Sequence, residues 1–536
     1  MALAETIGCR ERFAAVMRRA LIAWGLLALV HGCAPVVRHD APRVTSSATT
    51  GTETTWLGHR FAPLAVDHLG ESGVHLVDTG PEAFRLRVAL ADAAERSIDA
   101  QYFIWSDDAV GTLLMERLVR AADRGVRVRL LVDDIYLTGS GTAIAALDAH
   151  PNVEIRIYNP VGGRNPLRLG RRLDFLLQFN RLNHRMHNKL FVADNQVAVA
   201  GGRNIADAYF GVDPEFNVRD MDVVAVGPVV HQLSTGFDAY WNSQWAVPMA
   251  ALHATPPARE INRAYERLQR DAARHRERFA LPIDASDTSR EALVSLDQRL
   301  TWAHAEAVWA DPAAGLEGSR PGTASEVGRT LRAIIDKTRT DLVMVSPYLV
   351  PAEDLSLVRA LRARDVRLRM LTNSLASTDE TPAYAVYAKD HRRMLEAGVE
   401  IYEVRSDAAS RELYARVAPA SARLGLHAKV AVFDRTVVYV GSFNLDPRSL
   451  YLNTEVALLV RSPRLAEELL ALLERDCRPE NAWRVVLDRN GDRAPRVAWI
   501  TRDADGEVRY ERPPETGFWR RLEARVFALL PIRGQL

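Results

Sequence analysis

His187-Asn188-Lys189-Leu190-Phe191-Val192-Ala193-Asp194 and His427-Ala428-Lys429-Val430-Ala431-Val432-Phe433-Asp434 write one pattern twice. In each, a lysine follows a histidine by two residues, and an aspartate closes a short apolar run. The chain has 69 basic residues but only four lysines: Lys189, Lys337, Lys389 and Lys429. The rest are arginine. Keeping lysine at the same place in both copies is a chemical choice, because lysine is a compact point charge and arginine a planar fork. The apolar runs predict strands, on which residues two apart share a face. His and Lys then point the same way, and two such pairs suggest one site built from two halves.

The flanking sequence repeats as well. In the first half a helix is expected over 82–96, a strand over 97–105, a helix over 111–124 and a strand over 126–132. In the second half the order returns as helix 327–338, strand 342–348, helix 354–364 and strand 366–371. After each motif comes a turn, a second strand, and a small-residue corner: Gly201-Gly202-Arg203-Asn204 and Gly441-Ser442-Phe443-Asn444. Alternating strands and helices predict an α/β fold of two pseudo-symmetric repeats, each a sheet flanked by helices.

At 536 residues the chain exceeds a single core. The expected divisions are a targeting segment (1–33), a flexible Pro/Ser/Thr-rich tether (34–58), a first half (59–250), a largely helical connector (251–325), a second half (326–480) and a C-terminal hairpin and helix (481–536). Arg10, Arg12, Arg18 and Arg19 precede the apolar run Ala20–Val30, which is short for a bilayer span and suits a signal peptide. Val30-His31-Gly32-Cys33 resembles a bacterial lipobox. That likeness implies a lipidated Cys33 and a periplasm-facing, membrane-anchored protein of the cell envelope, although His31 departs from the usual small residue. Of the three cysteines only Cys477 would then lie in the folded part, so no internal disulfide is expected. A net charge of +1 argues against binding nucleic acid through bulk charge.

The residues fit phosphodiester chemistry. Such a reaction needs a nucleophile, an acid for the leaving alkoxide and cations for the phosphoryl oxygens. His187, His427, Lys189, Lys429, Asn204 and Asn444 supply these without a metal or cofactor. One imidazole must be neutral to attack and the other protonated to donate. Each needs a carboxylate to orient it. Asp222 is the candidate for His187 and Glu455 for His427. Asp194 and Asp434 belong to the motif, with a more structural part in tying the turn. Ser442 is a further supporting candidate. Arg203 could hold either a lipid headgroup or a structural acid.

The doubled His-x-Lys-x4-Asp with its Gly/Ser corner and Asn resembles the phospholipase D superfamily. It is most similar to cardiolipin synthases of the C type through His184–Lys189, Gly201–Ile205, Gly441–Ser449, Asn453-Thr454-Glu455 and the terminal Leu530-Pro531-Ile532. The resemblance covers about residues 60 to 536. It implies a bilobal fold, one active site between the halves, a phosphohistidine intermediate and phospholipid substrates. Phosphatidylglycerol, with or without phosphatidylethanolamine, would then be turned into cardiolipin. His187 is assigned the attack and His427 the protonation, though near-mirror halves allow the reverse. Water as acceptor would make the protein a hydrolase releasing phosphatidic acid. A nuclease and a non-catalytic lipid-binding lipoprotein are the further alternatives. Two apolar stretches stand apart. One, 164–185, mixes arginines with Leu and Phe and fits either a bilayer surface or a packed helix. The other, Phe518–Leu530, carries a helical stripe expected to be core.

Overall fold

The computed structural model describes residues 43–137, 141–161, 178–279, 291–314, 316, 323–351, 355–414, 421–488, 495–503 and 506–536. The signal-like segment with Cys33, and 164–177 of the basic-apolar stretch, lie outside the described residues.

Both motif strands form, but each begins one residue after its lysine, so the His-x-Lys pairs expected on the strands stand on the lead-in to them. Leu190–Ala193 sends Leu190 and Val192 into the apolar layer between the halves, and Phe191 and Ala193 outward beneath the first half's helices. Val430–Phe433 does the same, with Val430 and Val432 inward and Ala431 and Phe433 outward. Each pairs antiparallel with the next strand, Val197–Gly201 or Val437–Gly441. The turns use two successive left-handed residues, Asp194-Asn195 and Asp434-Arg435. Their positive φ matches the twist of a tight hairpin.

Among the described residues eighteen strands form one continuous sheet, joined between the halves through the strand Thr301–Trp309. Its first three residues pair with Ser72, Gly73 and Val74 of the first half, and the rest, His304 to Trp309, with Val456–Arg461 of the second. Each half is mixed. Ser97–Trp105, Arg127–Leu137 and Val153–Tyr158 run parallel, as do Asp341–Val345, Arg367–Asn373 and Glu400–Val404. The motif hairpins join antiparallel to the first strand of each set. Helices Gly80–Ala93 and Ala109–Asp123 cover the first half's outer face, and Glu326–Lys337, Ser356–Arg362 and Thr381–Glu396 the second's.

Several local expectations change. The strand expected to reach Tyr348 stops at Val345, close before Pro347, which has no N–H for a ladder. The segment between the halves holds the long helix Ala258–Phe279 and also the hinge strand of the sheet. Residues 43–55, the end of the expected tether, lie against the first half. Arg129 and Arg156 donate to the carbonyls of Ser46 and Val44, and Asp238 accepts from the amide of Ala48. The stripe on the C-terminal helix Phe518–Leu529 is not core. Trp519 and Leu529 are 77% and 85% exposed, because the helix docks on Thr381–Glu396 through Ala524, Phe527 and Ala528 instead. Among the described residues no helix is long and apolar enough to cross a membrane.

Candidate active site

The two halves are stitched together by backbone at the motif histidines. Phe216–Arg219 pairs in parallel with Arg423–Leu426, and the His427 amide donates to the Arg219 carbonyl at 2.8 Å. The mirror contact is a bridge between Met186 and Thr454, where the His187 amide donates to the Thr454 carbonyl at 2.9 Å. In each case the residue after the accepting carbonyl is an acid from the opposite half.

Those acids hold the imidazoles. His187 Nδ1 lies 2.9 Å from Glu455 Oε2, and His427 Nδ1 lies 2.6 Å from Asp220 Oδ2. This corrects the pairing expected from sequence. Glu455 serves His187, not His427, and Asp220 takes the place assigned to Asp222. Sheet register explains the shift. Gly201 sits opposite Asp222 and Gly441 opposite Ala457. The residues two positions earlier, Asp220 and Glu455, are therefore equivalents. Asp222 is a buried anchor, bonded by Arg87 at 3.0 Å and Arg203 at 3.2 Å. Arg203 also donates to the carbonyls of Tyr209, Asp78 and Asp220, so it is a structural cation wholly buried in the fold. The signal that finds Asp220 in the sequence is alignment on the corner glycines instead of on the Asp-x-Asp pattern.

The corners fit their carboxylates differently. A Cβ on Gly202 would come within 2.2 Å of Asp220 Oδ1, so only glycine lets the shorter acid sit there. Its counterpart Ser442 donates its hydroxyl to Glu455. Lys189 and Lys429 each donate to the carbonyl of their own histidine, at 2.6 and 2.5 Å. Phe103 packs edge-on to His187 and Tyr209 edge-on to His427, each at 5.0 Å between centroids, and neither ring was singled out by sequence. The two asparagines differ. The Asn204 amide is used at both ends, by the Ile104 N–H and the Tyr209 hydroxyl. Asn444 Oδ1 and Glu455 Oε1 are buried with no hydrogen-bond partner.

Asp194 and Asp434 stand at the far ends of the motif strands. Asp194 accepts from the amides of Glu95, Arg96 and Ser97, and Asp434 from those of Arg339, Thr340 and Asp341. They tie hairpin to sheet and do not touch the histidines.

Burial and charge make the halves unequal. Burial, then the charges of Lys189 and Lys429, hold the His187 imidazole well below its ordinary range. Burial and Lys429 also lower His427, but Asp220 opposes them. Burial would raise Asp220, yet His427 and Lys429 outweigh it and keep its carboxylate below the usual range. Glu455 is pushed up to about 8 by burial, despite Lys189 and Ser442. Burial lowers Lys429 to about 8 and Lys189 well below its ordinary value. Among the described residues no cluster of three His, Cys, Asp or Glu could hold a metal ion.

A family model described as "Cardiolipin synthase, PLD-like domain" matches residues 88–241 and again 331–477, once over each half. Cardiolipin synthase C of Escherichia coli (strain K12) is 36% identical over 90% of this chain and 99% of its own. The major cardiolipin synthase ClsA of Bacillus subtilis (strain 168) is 24% identical over 76% of this chain and 69% of its own. In fold, the chain resembles phosphatidylserine synthase from Haemophilus influenzae Rd KW20, with a TM-score of 0.53 at 12% identity, covering 88% of this chain and 99% of that one. The duplicated motif, the two-halved sheet and these likenesses together make this chain a member of the phospholipase D-like cardiolipin synthase family.

Proposed function

We propose that this protein is a phosphatidyltransferase that makes cardiolipin from phospholipids at the cell envelope. The observation that carries the reading is the crossed pair of histidines, one from each half, each held by the other half's carboxylate in one buried site. A neutral His187 whose Nδ1–H donates to Glu455 Oε2 at 2.9 Å keeps the lone pair of Nε2 free to attack phosphorus. Asp220, held ionised, counters the burial and the Lys429 charge that lower His427, and is the group that supports its imidazolium. In the first step the His187 Nε2–P bond forms and the P–O bond to the leaving alcohol breaks. The His427 proton passes to the departing oxygen. In the second step neutral His427 takes the hydroxyl proton of an acceptor phosphatidylglycerol, the new O–P bond forms and N–P breaks. Lys189, Lys429 and Asn444 supply donors to the phosphoryl oxygens; each lysine uses one of its three on its histidine carbonyl.

The test is product analysis with purified protein and phosphatidylglycerol, with and without phosphatidylethanolamine. Cardiolipin is expected. Phosphatidic acid alone would make the protein a hydrolase, and no product would make it a lipid-binding protein. His187→Ala and His427→Ala should each lose about 10³-fold in turnover, and near-normal activity in either defeats the mechanism. Cys33 is the proposed lipid anchor on the periplasmic side, so Cys33→Ser should move the protein out of the membrane fraction.

A further inference from the structure

The helix Phe518–Leu529 docks with its largest apolar side chains facing outward. At about 100° per residue, Phe518, Leu529, Leu522, Val526 and Trp519 fall in that order across an arc of about 100°. Ala524, Phe527 and Ala528 lie on the opposite side, against the helix Thr381–Glu396. Leu530 continues the exposed ridge just past the helix end. Six of the fourteen large apolar side chains exposed among the described residues stand on or just after this one helix, so they form a face and are not scattered exceptions. Covering alanines while leaving a tryptophan in water inverts the usual use of an amphipathic helix.

The chain that follows the helix runs to the active site. The Arg448 amide donates to the Leu536 carbonyl at 2.7 Å, and the Asn183 side-chain amide donates to Gln535 Oε1 at 2.9 Å. Arg448 also donates to Asn183 Oδ1 and to the Asn183 carbonyl, at 2.8 and 2.7 Å. Asn183 stands four residues before His187, and Arg448 four residues after Asn444. From there the two segments run together. His184 Nδ1 lies 2.9 Å from the Leu452 carbonyl, and Met186 bridges to Thr454 beside His187. Two further exposed apolar side chains stand on this seam. Phe179 gives its carbonyl to the Asn183 amide, and Tyr451 ends the short helix Pro447–Tyr451 that carries Arg448. The apolar face is therefore tied to the rim of the site. Residues 518–536 carry Arg520, Arg521, Arg525 and Arg533 against Glu523 alone, so the same region is basic.

We propose that this face lies on an anionic phospholipid bilayer, with its apolar ridge among the acyl chains, and sets the rim of the active site against the lipid surface. The inference rests on the phosphatidyl-transfer reading only for the source of the substrate. Phospholipids stay in the bilayer, so the two histidines reach a phosphate only where the protein meets the membrane. An apolar arc edged by a tryptophan, in a mainly basic stretch, matches the profile of a leaflet: hydrocarbon within, aromatic rings at the boundary and anionic headgroups outside. A stripe this short makes a reversible contact. It aims the site and leaves lasting attachment to the proposed lipid on Cys33.

The experiment puts charge on the face without touching the site. Full-length protein carrying Trp519→Glu and Leu529→Glu is compared with wild type on two forms of one headgroup: vesicles of dioleoyl-phosphatidylglycerol, and dihexanoyl-phosphatidylglycerol dissolved as monomers. Both side chains are exposed, and the docked side of the helix is unchanged. Vesicle turnover is expected to fall about ten-fold or more while monomer turnover stays within about two-fold. Unchanged turnover on vesicles overturns the proposal, and so does an equal fall on both substrates. The ratio is read on whichever phosphatidyl product forms. Release of phosphatidic acid would therefore sink the transfer reading while leaving this one to stand or fall separately. A second measurement needs neither variant nor turnover. Full-length wild-type protein is photolysed on phosphatidylglycerol vesicles whose lipids bear an acyl-chain diazirine. Labelling of peptides within 518–530 supports the proposal, and labelling that spares them overturns it. A lipid-free dimer, seen by sedimentation, that the double variant dissolves while its vesicle turnover matches wild type also overturns it, because a second copy of the chain then covers the face.

Discussion

Asp220 and Asp222 are two residues apart and do opposite work. Asp220 grips His427 at 2.6 Å, whereas Asp222 neutralises Arg87 and Arg203. Asp220→Asn should therefore lower turnover by about 10³-fold per folded molecule, since the imidazole loses its ionised partner. Asp222→Asn should instead destabilise by about 3–5 kcal/mol, because two buried guanidiniums lose their carboxylate. Lipid turnover and urea unfolding of both variants separate the roles. Glu455 behaves differently from Asp220, being raised to about 8. A carboxyl whose folded value lies above its unfolded value of 4.5 contributes stability that is fully present below 4.5. That contribution drains away as pH rises through about 8. Glu455→Gln has no such dependence. Its melting temperature should gain on wild type between pH 5 and 8, and a constant gap would show that Glu455 titrates normally.

The motif hairpins owe their position to the aspartates that end them. Asp194 is fully buried and accepts three backbone amides, and the half-buried Asp434 accepts three at the equivalent corner. Removing such an acceptor strands buried N–H groups. Asp194→Ala should cost about 2–3 kcal/mol in urea unfolding while turnover per folded molecule stays within a few-fold. A collapse of activity at unchanged stability would instead place Asp194 in the chemistry. Elements were also where sequence reading worked best. Strand Ser97–Trp105 and the helices Gly80–Ala93 and Glu326–Lys337 lie where periodicity set them, within a few residues, because their apolar faces repeat locally. The C-terminal helix was legible as a helix but not in its orientation. Its small-residue face found a partner helix and its large apolar face did not.

Neither half holds a complete imidazole–carboxylate pair. Both pairs cross between halves of one chain, so each molecule has one site that needs both. Mixing purified His187→Ala and His427→Ala proteins should restore no activity, as measured by cardiolipin formation against the sum of the two alone. Restoration would mean that the halves exchange between chains. The hinge strand Thr301–Trp309 gives the crossing its framework by belonging to both halves of the sheet. It lies in the segment expected to be a largely helical connector, since nothing in its own sequence names its two partners.

The repeated motif, the strand and helix periods and the small-residue corners are written in neighbouring residues, and for that reason the two-repeat α/β fold and the bringing together of two His-x-Lys pairs could be read off directly. Which acid serves which histidine spans 207 and 268 positions of chain and depends on sheet register, where a slip of two residues separates an orienting carboxylate from a buried salt bridge. No local pattern encodes that choice, because it is a property of surfaces that meet only once the chain has folded.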